Sequence, residues 1–161
     1  MRQATGTTTL FQIVIGFTLL FAAFLSVAIT YNRVFRLKNE TLGIIERYEG
    51  ISDKSLGIIN NYLKNSGYTT KRNCEKDEFG VDNLDRNVYE KVDNENKKYY
   101  YCLSDYTQTN ANGDQIFYKI KLFFNFNLPF IGDLVTFKIT GETKGIKLWD
   151  INEQGLKEQI I

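Results

Sequence analysis

Between Arg2 and Arg33 the chain carries no charged side chain, and Leu10 to Ile29 reads LFQIVIGFTLLFAAFLSVAI. An α-helix of that length covers the roughly 30 Å hydrocarbon core of a bilayer. Its Leu, Ile, Val and Phe residues, worth roughly 0.3 to 0.6 kcal/mol each on insertion, outweigh the polar Gln12, Thr18 and Ser26. The pattern predicts a transmembrane helix over residues 10–30, preceded by a short stub over residues 1–9. A second reading is a secreted protein released after Ala28, since Ser26-Val27-Ala28 supplies the small residues a signal peptidase needs. The apolar run nevertheless exceeds an ordinary signal-peptide core.

Beyond the run, Tyr31, Val34, Phe35, Leu42, Ile45 and Tyr48 recur every three or four residues. Arg33, Arg36, Glu40 and Arg47 fall off that stripe, as in an amphipathic helix. The membrane helix is therefore expected to continue as a stalk over residues 31–49. Gly50 would end it in a left-handed conformation, with Ile51 making the accompanying apolar contact. Leu10 to Glu49 would then be one helix of about 60 Å. Within the span, Thr18, Ala22, Ser26 and Thr30 form a fourth-residue stripe of small side chains, a face on which another helix can pack closely, although small residues are common in spanning helices generally.

Residues 51–161 are expected to form the head. Ser52 or Asp53 is a natural N-cap for a short helix with Leu56, Ile59 and Leu63 on its apolar face and Gly67 at its end. Thr69 to Asn87 is polar and turn-rich, and its acidic residues match no EF-hand spacing, which favours a solvated loop tethered by Cys74. Val88 to Val92 and Lys98 to Leu103 flank Asp93-Asn94-Glu95-Asn96 as the two arms of a hairpin. The clearest alternation runs through Ile116, Tyr118, Ile120, Leu122, Phe124, Phe126 and Leu128, with Lys119, Lys121, Asn125 and Asn127 on the opposite, wet face. Asn112-Gly113 before it and Pro129 with Gly132-Asp133 after it mark turns. Val135, Phe137 and Ile139 form a further strand, and Ile146, Leu148 and Ile151 a last one. The fold class is α+β: a long N-terminal helix packed on a small antiparallel sheet.

Composition narrows the chemistry. Lysine and arginine number 20 against 19 acids, so there is no global field to hold nucleic acid. Histidine is absent, which removes the commonest general base and the Ser-His and Cys-His nucleophile pairs. No phosphate-binding glycine loop or metal-ligand cluster is apparent, so the sequence points to no enzyme, cofactor or metal. Asn39-Glu40-Thr41 matches the N-glycosylation tripeptide inside the expected helix, as chance allows. Tyr99, Tyr100, Tyr101 and Tyr106 with Trp149 could make a ligand-binding aromatic patch or simply belong to a sheet core.

Orientation is argued two ways. Arg33, Arg36 and Lys38 follow the span while Arg2 precedes it, which places the C-terminal side in the cytoplasm. Cys74 and Cys102 suit one structural disulfide in an oxidising compartment, though two free buried thiols are the alternative. The pair favours an extracytoplasmic head on a single-pass cell-membrane protein.

Thr5-Gly6-Thr7-Thr8-Thr9-Leu10-Phe11-Gln12 leading into the apolar run, and the strand pair from Phe117 to Lys144, FYKIKLFFNFNLPFIGDLVTFKITGETK, resemble type IV pilin-like proteins. Among these the chain is most similar to TadE-like minor pilins, or pseudopilins, of tight-adherence pilus systems. The resemblance implies a non-enzymatic part in pilus assembly or adhesion, with the lipid bilayer, other pilin-like subunits and assembly proteins as partners in a homo- or hetero-oligomer. It implies Gly6 as the candidate processing site, because prepilin peptidases of the family cut after a glycine. The family's glutamate five residues later is replaced by Phe11, with Gln12 beside it, which fits a membrane-bound assembly factor better than a bulk fibre subunit. The other reading, from a different class, is a membrane-tethered module binding an extracellular ligand or envelope polymer.

Overall fold

The computed structural model describes residues 2–93, 96–110, 113–128 and 132–147. The expected turn residues Asn94, Glu95, Asn112 and Pro129, and the expected late residues Leu148, Trp149 and Ile151, lie outside them. Helix α1 runs from Arg2 to Arg47, about 69 Å at 1.5 Å per residue. It begins eight positions before Leu10. Once the apolar run has nucleated a helix, each added residue costs little more than its own propensity, and the threonines and Gly6 weaken the first turns without stopping them.

At its far end the Gly50 amide donates to the Ile45 carbonyl at 3.0 Å and the Glu49 amide to Glu46 at 3.3 Å, the paired bonds of a Schellman ending. The left-handed residue is Glu49, at φ 54°, rather than Gly50, which follows at φ 138°. Gly50 instead admits a close neighbour: a β-carbon there would lie 3.0 Å from the Tyr118 hydroxyl. Helix α2, Asp53–Asn65, then turns back along α1, capped reciprocally by Ser52 and Ser55. It ends on a second Schellman pair, Tyr68 to Leu63 and Gly67 to Lys64, with Gly67 left-handed as expected, at φ 68°.

The buried stripe of the stalk differs from expectation. Val34, Leu37, Thr41, Ile44 and Ile45 face the head, whereas Tyr31 and Phe35 are exposed. The latter two stack on each other, and the Lys38 ammonium lies over the Phe35 ring. The helix meets the head as a tangent, so its inward arc narrows to the positions between the two aromatics and the stalk end. Thr41 is tolerated there because its hydroxyl donates to the Leu37 carbonyl at 2.8 Å, satisfying it within the helix.

Among the described residues, six antiparallel strands make the sheet: β1 Phe79–Val81, β2 Glu90–Lys91, β3 Tyr101–Asn110, β4 Gly113–Leu128, β5 Gly132–Glu142 and β6 Ile146–Lys147. Their order is β2-β1-β3-β4-β5, with β6 pairing the start of β4. The expected hairpin between 88–92 and 98–103 does not form. Three residues of the supposed solvated loop, β1, lie between those arms and pair with both. The insertion depends on Gly80: a β-carbon there would sit 2.3 Å from the Tyr99 ring.

On one face of the sheet, Tyr101, Leu103, Ile120 and Leu122 pack against Leu37, Ile44, Ile45, Leu56, Ile59 and Leu63 of the two helices. The opposite face is only partly wet. Cys74, Val92, Tyr99, Cys102 and Phe123 form a second, smaller core there, and Lys121, expected in solvent, is buried. The loop preceding β1 folds over this face and supplies the cover.

Candidate functional site

The uncovered part of α1 is the most conspicuous surface. Thr8–Arg47 is long and apolar enough to cross a membrane, with a mean hydropathy of 2.5 over its 18-residue apolar window and none of that window buried. Leu10, Phe11, Ile13, Phe17, Leu20, Phe24 and Ile29 are each at least 65% exposed. Such continuous apolar exposure marks a lipid or protein contact.

Thr18, Ala22, Ser26 and Thr30 lie one helical turn apart on a shared side of α1, as the fourth-residue spacing requires. The Thr18 hydroxyl donates to the Val14 carbonyl at 2.8 Å and that of Thr30 to the Ser26 carbonyl at 2.9 Å. With these hydroxyls folded back onto the helix, the stripe presents methyl groups and small side chains to a neighbour. Thr18 and Ala22 are exposed, while Ser26 and Thr30 are half-buried. Gly6 lies within the first helical turns of α1, at a distance along the chain from every packed element.

In the head, Cys74 and Cys102 form a disulfide with Cα atoms 5.7 Å apart. Cys102 is register partner to Lys121 on β4, so the bridge holds the turn at Glu75–Glu78 over that lysine. The turn closes with the Glu78 amide donating to the Glu75 carbonyl at 3.2 Å, and Asp77 adopts φ 75°. Lys121 Nζ donates to Glu75 at 2.9 Å and Glu78 at 2.7 Å, and Lys138 reaches Glu75 at 3.3 Å. Burial opposes the Lys121 charge, but the two carboxylates outweigh it and raise its pKa above the ordinary lysine value. The hydrogen bond from Lys121, then that from Lys138, lowers the Glu75 pKa.

These groups line a shallow cleft of about 260 Å³ with Ser104, Lys119 and Thr140. Glu78 and both cysteine sulfurs lie within 4.8 Å of one another. The sulfurs are committed to the disulfide, and the carboxylate is committed to Lys121, so this group offers a metal no free ligand set. Nothing in the sequence pointed to the triad of Lys121, Glu75 and Glu78, since its members come from a strand and a distant loop; the one available signal was a lysine on the strand facing Cys102.

Among the described residues, the expected aromatic group is split between core and surface. Of the expected group, Tyr99 and Tyr101 are buried, Tyr100 is half-buried and Tyr106 is exposed, stacked on Phe117, while Trp149 lies outside the described residues. Tyr101 points inward because its hydroxyl donates to Asn60 Oδ1 at 2.8 Å. Core packing accounts for them.

No family model, curated protein or solved structure matches the chain.

Proposed function

We propose that the chain is a non-enzymatic, membrane-anchored pilin-like protein, of the minor-pilin or pseudopilin kind, that acts in assembly or adhesion of a Tad or type IV-like pilus through lateral packing of its helix. One observation carries this reading: a single unbroken helix is bare and apolar over its first half and is a structural wall of the head over its second. A rigid joint of that kind transmits helix packing directly to the position of the head, which a flexible tether does not. The small-residue stripe, open at Thr18 and Ala22, supplies a face for a partner helix. The disulfide supports an extracytoplasmic head, because such bonds persist in oxidising compartments. Burial of Tyr99 and Tyr101 in the core weakens the case for a ligand-binding head.

The test is oxidative crosslinking of the full chain in native membranes. Ala22→Cys should give a covalent adduct with a second copy or another pilin-like helix, while Leu20→Cys and Phe24→Cys, off the stripe, should give far less. Uncrosslinked monomer at every position would overturn the reading. Alkylation before lysis should leave Cys74 and Cys102 unlabelled; rapid labelling of both would place the head in the cytoplasm.

A further inference from the structure

We propose that Arg33, Arg36 and Lys38 form a collar around α1 that binds the headgroups of anionic phospholipids and so fixes the height of the head above the bilayer. This rests on the reading that α1 spans a membrane, and it holds whichever side the head occupies.

The register of the helix places these residues. Leu10 to Ile29 supplies twenty residues, about 30 Å of helix, which matches the depth of the hydrocarbon core. The turns that follow rise through the headgroup layer. Between Ile29 and Glu40 the chain carries Arg33, Arg36 and Lys38 and no acid. Side chains on a helix lean toward its N-terminus, which here is toward the membrane. Lys38 shows the lean: its Nζ lies 4.4 Å from the centre of the Phe35 ring, three residues nearer the span. Long stems that lean this way cover apolar surface and carry their charges into the headgroup layer.

The cations stand on three sides of the helix. Arg33 flanks the end of α2, where it donates to the Ser66 carbonyl. Lys38 flanks β5, with its stem 2.8 Å from where a β-carbon on Gly141 would lie. Arg36 is exposed, whereas Val34 is buried against the head; two residues of helix, about 200°, turn the arginine to the side away from the head.

Pairing sets these three apart from cations higher in the head. Lys64, Lys97, Lys119 and Lys121 each end on a carboxylate. Among the described residues Arg33, Arg36 and Lys38 form no ion pair, and Glu40, one turn above Arg36, forms none with it. Unneutralised cations at this level attract anionic lipid, each adding to the attraction, and a guanidinium can take two phosphate oxygens at once. Tyr31 and Phe35, exposed and stacked on each other, supply the aromatic anchor typical of a membrane–water interface. An acidic protein partner would have to displace the headgroups that already surround this stretch of helix.

The test is the lipid selectivity of the full chain reconstituted in phosphatidylcholine vesicles, read by electron spin resonance of spin-labelled phosphatidylglycerol and, separately, spin-labelled phosphatidylcholine. The fraction of each label immobilised at the protein gives their relative affinity. Phosphatidylglycerol should be favoured about threefold or more at low salt, and the preference should shrink as salt is raised. Arg33→Gln/Arg36→Gln/Lys38→Gln should bring the ratio to about one, with phosphatidylcholine immobilised as before. Arg36→Gln alone, at a side chain with no ion pair among the described residues, should lose part of the preference and Arg36→Lys should keep most of it; these two carry the test should the triple variant fail to form the Cys74–Cys102 bridge. Lys54→Gln/Lys144→Gln removes cations near Tyr48 and Glu46, at the far end of the stalk, and should leave the ratio unchanged. Equal immobilisation of the two lipids by the native chain, a preference that survives the collar substitutions, or an equal loss in Lys54→Gln/Lys144→Gln would overturn the proposal and leave the spanning helix standing. Absence of immobilised lipid of either kind would overturn both together.

Discussion

Gly80 lies under the ring of Tyr99 so closely that a β-carbon would sit 2.3 Å from Tyr99 Cδ1 and 2.5 Å from Cγ. Tyr99 is itself buried and bridged to Arg72, with amide-to-carbonyl bonds of 2.8 and 2.9 Å in the two directions, so the ring has no free direction in which to yield. Gly80→Ala should destabilise the head by about 1–3 kcal/mol, the usual cost of overpacking. Denaturant titration of the full chain in detergent, followed by near-ultraviolet circular dichroism of the tyrosines, measures it. An unchanged midpoint would mean that β1 does not occupy the place between β2 and β3.

Reducing the Cys74–Cys102 bridge, which closes a separation of 28 residues, should cost about 3–4 kcal/mol. The same titration with and without reductant should show the shift in the native chain and none in Cys74→Ala/Cys102→Ala. The loss should appear first around the Glu75–Glu78 turn, readable as faster amide exchange there.

Replacing Lys121 by methionine should destabilise the head by about 1–3 kcal/mol at neutral pH, because Glu78, with only 14% of its side chain exposed, loses its cation. The pH profile gives a second readout. The Glu75 pKa is below 4.5 chiefly through the Lys121 hydrogen bond, so its contribution is complete above that value and lost as the pH falls through the folded one. For Lys121, burial is outweighed by Glu75 and Glu78 and the pKa is above 10.5; its contribution is complete below that value and lost as the pH rises further. Stability from the triad should be flat between about pH 5 and 10. Lys121→Met should flatten the acid limb.

Tyr101→Phe should cost about 1–3 kcal/mol by stranding the buried Asn60 oxygen it bonds at 2.8 Å. Pairing it with Asn60→Leu should recover part of that loss, since the amide's other bond, from Nδ2 to the Arg86 carbonyl at 2.9 Å, ends on an exposed residue that water can reach. Strict additivity of the two substitutions would show that the pair is not coupled.

What the sequence alone determined is what depends on near neighbours. The absence of charge from residue 3 to 32 dictates one apolar helix, and the Ser52 cap, the Leu56-Ile59-Leu63 stripe and the Gly67 ending dictate the second. The seven-member alternation dictates β4, because a period of two admits no other element. Tertiary structure decided the rest. A three-residue strand such as Phe79–Val81 carries too little pattern to be read, and only pairing with residues ten to twenty-four positions away makes it one. Lys121 sits on what the alternation marks as the wet face, yet a loop tied down by Cys74 brings two carboxylates over it and makes burial tolerable. Periodicity assigns a side chain to a face; what covers that face is supplied by distant chain, whose arrival depends on the collective packing of helices, sheet and disulfide.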